Sequence, residues 1–235
     1  MNLKNKTVVI TGASDGIGKH ISLRLAKDGV NLALIGRNKK RLEDVAVQAK
    51  ELGALKIKTY VCDIQKGDDL EKIVNLIISD FGSIDILIND AGVWQKLMPV
   101  EEMKKDTIDN VIGTNLTALI NVTRLFIPIL KSREEAAIIN VVSKSGVVAQ
   151  EGQSVYSASK YGVRGFTEVL RLDLKDSNIK VAGLYQGGIN TEMFKKADDN
   201  FSTADFTEPA DLADVVAYML SLPKKIWLYD VRVNR

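Results

Sequence analysis

Thr7-Val8-Val9-Ile10-Thr11-Gly12-Ala13-Ser14-Asp15-Gly16-Ile17-Gly18 carries a run of β-branched residues directly into three glycines. The β-branched run predicts a strand, and its unbroken apolar core suits a strand covered on both faces. Ile21, Leu25 and Ala26 then recur at helical spacing, so a helix is expected to open at the glycines. A strand, a tight turn and a helix N-terminus together form a cradle for a pyrophosphate, because backbone N–H groups converge there and glycine allows close approach. Gly12, Ser14, Asp15, Gly16, Ile17 and Gly18 are the candidate contacts. A P-loop around Gly18-Lys19 would need glycine at position 13 and Ser or Thr at position 20, where the chain has Ala13 and His20. A plain strand–helix turn stays open on these residues alone.

Outward from this stretch, short β-branched runs at 7–11, 31–35, 57–61, 84–89, 137–142, 180–184 and 226–233 alternate with longer amphipathic segments such as Leu70, Ile73, Val74, Ile77. This alternation predicts an α/β fold, a doubly wound parallel sheet of the Rossmann type with about seven strands and helices on both faces. No Pro/Gly/Ser-rich linker, repeat or shift in composition divides residues 1–235, so a single domain is expected. Residues 185–208 lack a long apolar period and predict a loop with one short helix, either a substrate lid or a plain surface excursion.

The 32 basic and 30 acidic residues leave a net charge of +2 with the signs interspersed, which speaks against a nucleic-acid face. Cys62 is the single cysteine, so no intrachain disulfide forms. No h-region precedes Thr7, and a cytoplasmic location is expected. No apolar run approaches the ~20 residues of a membrane span. With His20 as the only histidine, neither a histidine-based dehydrogenase nor a His-rich metal site can be built, and no metal is expected.

The second strand ends in Gly36-Arg37-Asn38, where a dinucleotide fold selects its ribose partner. A carboxylate there would bind a free 2′-hydroxyl. Arg37 suits a 2′-phosphate, so NADP(H) is favoured over NAD(H), against a small opposing effect of Asp15. Tyr156 and Lys160 stand four residues apart, one helical turn, with Ser143 thirteen residues upstream. A phenol works as an acid–base group at neutral pH when a nearby cation stabilises its phenolate. The spacing alone is weak, since six tyrosines among 235 residues produce such pairs by chance.

These motifs in this order resemble the short-chain dehydrogenase/reductase family from Lys6 to about Leu222. Thr11 to Gly18 has the family's TGxxxGxG form, and Asn89-Asp90-Ala91-Gly92 is similar to its NNAG motif, with Asp90 as a departure. The resemblance implies cofactor contacts from Asp63, Ile64, Asn89, Ala91, Gly92, Gly187, Ile189 and Thr191. It also implies a catalytic tetrad of Asn115, Ser143, Tyr156 and Lys160. In that tetrad Tyr156 protonates the carbonyl oxygen, Ser143 bonds that oxygen, Lys160 holds the nicotinamide ribose and lowers the Tyr156 pKa, and Asn115 holds a water linking Lys160 to solvent. Gln186 replaces the usual proline before Gly187. The implied protein is an NADP(H)-dependent oxidoreductase acting between a carbonyl and a secondary alcohol, and a homodimer or homotetramer. The alternatives are a non-catalytic NADP sensor on the same fold, or specifically a 3-oxoacyl-carrier-protein reductase. Trp94 is a candidate wall of the substrate pocket.

Overall fold

The computed structural model describes residues 1–199 and 201–234; residue 200 of the expected loop and residue 235 of the expected domain lie outside the described residues. Seven strands form one parallel sheet in the order β3-β2-β1-β4-β5-β6-β7. They are β1 (Thr7–Thr11), β2 (Asn31–Gly36), β3 (Lys56–Val61), β4 (Ile86–Asn89), β5 (Ala136–Val141), β6 (Ile179–Gln186) and β7 (Asp230–Val233). The helices are α1 (Gly16–Ala26), α2 (Lys39–Glu51), α3 (Gly67–Phe81), α4 (Lys105–Ile112), α5 (Leu119–Lys131), α6 (Ser154–Asp173), α7 (Met193–Lys196) and α8 (Pro209–Ser221).

The alternation of side chains along each strand divides the core in two. Val8 and Ile10 of β1 face α1, α2 and α8, packing with Leu25, Val45 and Val216. Val9 faces the other way, toward α3, α5 and α6, and joins Val74, Phe126 and Leu170. Helices on both faces explain why every residue of β1 is buried.

Most strand ends fall within two residues of expectation, and the last strand departs further. The last strand begins at Asp230 rather than 226, because Ile226 N–H closes a turn onto the Pro223 carbonyl and the Trp227 indole N–H is spent on the Val181 carbonyl at 3.1 Å. Tyr185 and Gln186 belong to β6, paired with Arg232 and Val233, so the loop starts at Gly187. It carries α7 as its short helix and ends at Glu208, the residue before α8.

From Lys105 to Lys131 the chain is continuously helical, with a π turn at Gly113–Ala118 between α4 and α5. By length and composition this helix could cross a membrane, which the expectation of no long apolar run had not allowed for; Asn115, Asn121 and Arg124 interrupt a stretch that is otherwise largely apolar. In the fold, Val122, Phe126 and Leu130 of this helix are fully buried in the core beneath the sheet.

The strand order reverses between β1 and β4, so the loops leaving these two strands part and open a crevice at the carboxyl end of the sheet.

Candidate active site

Loops after β1 to β6 line a cleft of about 900 Å³ at that crevice, toward the upper end of the usual size for ligand pockets. At one end, Gly12 and Gly16 turn the chain with φ of 72° and 53°. A Cβ on Gly12 would stand 2.9 Å from the Ala91 backbone, so no other residue fits without moving the loop. Gly12, Ser14, Asp15, Gly16 and Ile17 line the cleft. Gly18 does not: its Cβ position lies 2.6 Å from the Gly12 carbonyl oxygen, which makes it a close-packing residue beneath the loop, and its N–H bonds the Asp90 carboxylate.

Arg37 and Asn38 line the same end. The Asn38 side chain also accepts the Arg41 N–H at 3.0 Å and so caps α2. Asp15, expected to repel an anionic cofactor, is neutralised by the Arg41 guanidinium at 2.7 Å and by Lys196 from α7. Arg41 and Lys196, which no sequence motif singles out, both line the cleft. Asp63 and Ile64 after β3, Ala91 and Gly92 after β4, and Gly187, Ile189 and Thr191 after β6 line it too. The positive-φ glycine turn, the α1 N-terminus and this arginine-rich edge together fit a phosphorylated dinucleotide.

Asn89 is placed differently from these residues. It is buried inside the sheet, where its amide donates to Thr123 and to Asn140, each at 2.9 Å, and it does not line the cleft. It braces β4 against β5 and α5.

At the other end Tyr156 and Lys160 lie on one face of α6, with the ammonium 5.7 Å from the phenol ring centroid. Both are buried, at 5% exposure each. The Lys160 ammonium donates to the Val141 carbonyl, at the end of β5, at 3.1 Å. Ser143, two residues further on, holds φ at 128°, a backbone conformation that costs a non-glycine residue about 1–3 kcal/mol. Such strain gathers at sites where a side chain must be aimed, and the Ser143 hydroxyl is aimed at Tyr156.

Burial, not Lys160, dominates the Tyr156 phenol and pushes it up to about 12, with the Ser143 hydrogen bond pulling the other way. The net shift is therefore upward, where the family role of Lys160 implies a downward one: the phenol holds its proton throughout the neutral range. Burial lowers Lys160 to about 8, opposed by the charge of Asp90. Asp90 itself is raised to about 7 by burial, opposed by Lys160 and the Gly18 N–H.

Asn115 sits in the π turn, a distortion that recurs at functional sites. Its side chain is committed to the protein: Nδ2 donates to the Val93 carbonyl at 3.0 Å and to Ser159 at 3.2 Å, and Oδ1 accepts the Val93 N–H at 2.8 Å. It does not line the cleft; it ties the loop after β4 to α6 behind Lys160.

Trp94 does form a wall. Its ring is centred 4.5 Å from that of Tyr156 and 5.2 Å from Phe194 of α7. Phe194 leads to Phe201 and Phe206. Those aromatics had a signal in the sequence, since three of the six phenylalanines fall between 194 and 206.

The family model for short chain dehydrogenases matches residues 6–202. The chain is 31% identical over 229 residues to the 3-oxoacyl-[acyl-carrier-protein] reductase FabG of Thermotoga maritima, covering 94% of this chain and 92% of that one. A metagenomic short-chain oxidoreductase solved with NADP superposes with a TM-score of 0.87 at 27% identity, covering 100% of this chain and 98% of that one. The 3-ketoacyl-(acyl-carrier-protein) reductase of Brucella melitensis, solved with NADH, superposes at 0.89 with 28% identity, covering 98% of this chain and 97% of the other. The chain belongs to the short-chain dehydrogenase/reductase family. It is an oxidoreductase on a Rossmann-type fold.

Proposed function

We propose that this enzyme reduces ketones or aldehydes to alcohols with NADP(H), using Tyr156 as the proton donor. The observation that carries the reading is the convergence of Ser143, Tyr156 and Lys160 at one end of a cleft whose other end is a glycine turn edged by Arg37 and Arg41. When bound, the nicotinamide supplies the hydride that reduces the carbonyl carbon. The chain's own residues do the rest. The Ser143 hydroxyl donates to the carbonyl oxygen and stabilises the charge that builds there. Tyr156, protonated at neutral pH, gives its proton to that oxygen as it becomes an alkoxide. Lys160 holds the nicotinamide ribose and keeps a positive charge beside the phenolate left behind. Asn115 acts as a positioning residue through Val93 and Ser159. The relatives solved with NADP support the phosphorylated cofactor, while the Brucella reductase solved with NADH shows that the same fold takes the other.

Arg37 decides between them. Arg37→Ala is expected to weaken NADPH binding by about 10- to 100-fold, the value of a charge-assisted hydrogen bond, and to leave NADH binding within about twofold. Equal losses for the two cofactors, read by fluorescence titration, would remove Arg37 from the 2′-phosphate site.

The pH dependence follows from Lys160. A buried ammonium lowered to about 8 carries its charge below that pH and loses it above. Turnover is expected to fall on the alkaline side from that point. Asp90 is the group that holds this value up, so Asp90→Asn is expected to move the alkaline limb to lower pH. A limb that stays where it is in the variant would contradict the assignment to Lys160.

A further inference from the structure

We propose that the substrate of this site is an aryl ketone bearing a second carbonyl oxygen close to the one reduced. The proposal rests on the reductase reading and adds the chemical class. Two features of the cleft, one apolar and one polar, carry it.

The apolar feature is the continuous aromatic surface that begins at the proton donor. Trp94 meets Tyr156 edge-on at an interplanar angle of 66°, and Phe194 meets Trp94 at 74°. Phe206 continues the surface 5.8 Å beyond Phe194. These rings line the cleft and keep part of their surface exposed there, so they offer faces and edges to whatever enters. The wall is also held in place: the Trp94 indole N–H donates to Asp199 of the loop after α7 at 2.9 Å. A flat ring gains from such a surface through offset and edge-to-face contacts beyond the burial that an alkyl chain would obtain.

The polar feature lies beside Ser143. The Ser145 N–H donates to the Ser143 hydroxyl oxygen at 3.1 Å, and the Ser145 hydroxyl donates to Gln153 Oε1 at 2.7 Å. Gln150 Nε2 reaches the same Oε1 at 3.3 Å. The acceptor end of the buried Gln153 is thereby saturated, while its Nε2 has no acceptor among the described residues. Gln153 lines the cleft three residues before the proton donor. A substrate seated here is asked for an oxygen acceptor beside the reducible carbonyl, and a second carbonyl supplies one.

Four ketones separate the two features: methyl phenyl diketone, propiophenone, diacetyl and butanone, with NADPH oxidation as the readout. Wild-type kcat/KM is expected to be about tenfold or more higher for the aryl diketone than for propiophenone or diacetyl. Phe194→Ala should narrow the aryl-to-alkyl ratio about fivefold or more while the diketone-to-monoketone ratio holds. Gln153→Glu keeps the acceptor that Ser145 and Gln150 use but removes the donor, and should narrow only the second ratio. NADPH titration confirms that each variant retains the folded cofactor site. Equal rates across the four ketones, or a uniform loss in Phe194→Ala, would overturn the substrate class and leave the reductase reading intact. If none of the four is reduced while an acetoacetyl thioester is, the substrate class falls alone; if no carbonyl compound is reduced at all, both fall.

Discussion

Tyr156→Phe is expected to lower kcat/KM for carbonyl reduction by about a thousandfold, within the range for losing a general acid, and to leave NADPH binding within about twofold. The change removes one oxygen atom. The phenyl ring keeps its place against Trp94 and its burial in α6, so a loss of turnover cannot be assigned to collapse of the cleft. At 1.36 kcal/mol for each factor of ten, a thousandfold loss corresponds to about 4 kcal/mol of transition-state stabilisation. That is more than a neutral hydrogen bond in a ground state contributes, and it fits a group that moves a proton. A variant retaining more than about a tenth of wild-type activity would show that the proton comes from elsewhere.

Gly18→Ala is expected to produce the second large effect, at the opposite end of the cleft. The added Cβ would stand 2.6 Å from the Gly12 carbonyl oxygen and 2.7 Å from Asp90 Oδ2. Backbone must move to relieve the first contact, and the backbone concerned is the phosphate turn itself. Overpacking of this kind costs about 1–3 kcal/mol, which for a chain of this length is about 2–12 °C in Tm. Dinucleotide affinity should fall further, by about a hundredfold, because the N–H groups of the turn lose their common aim. Gly165→Ala supplies the control. It lies inside α6 with nothing within 4 Å of its Cβ position, and should stabilise the helix by about 0.5–1 kcal/mol. Unchanged Tm and NADPH affinity in Gly18→Ala would mean that the turn is not the phosphate cradle.

The two glycines also show what a sequence can and cannot reveal. Thr7 to Gly18 announces a strand, a turn and a helix, because β-branched runs, glycine and helical spacing act locally. The same local signals place Tyr156 and Lys160 on one helical face, as found. A motif does not distinguish residues that touch a ligand from residues that shape the cleft, which is why Gly18, Asn89 and Asn115 were expected at the site and instead stand behind it. Lys196 was hidden for a different reason. It comes from a loop without periodicity, and its partner Asp15 is distant in sequence. The Tyr156 pKa follows the same logic: helical spacing reports that a lysine is near, but only the packed structure reports that burial outweighs it.

Asp90, a departure from the family's asparagine, gains a physical role from its position. It takes the Gly18 N–H beneath the phosphate turn and acts on Lys160 through charge, so it couples the two ends of the cleft. The alkaline limb of the pH profile reads that coupling directly.

The central claim, hydride transfer from nicotinamide to a carbonyl carbon with Tyr156 supplying the proton, is tested most directly by isotope tracing. NADPH deuterated at the hydride-donating carbon is incubated with enzyme and methyl phenyl diketone or an acetoacetyl thioester, and the alcohol product is examined by mass spectrometry and NMR. The prediction is one deuterium on the new carbinol carbon with the wild-type enzyme, and loss of labelled alcohol in Tyr156→Phe while NADPH stays bound. Bound NADPH that remains unconsumed, or an alcohol without deuterium at that carbon, would contradict it.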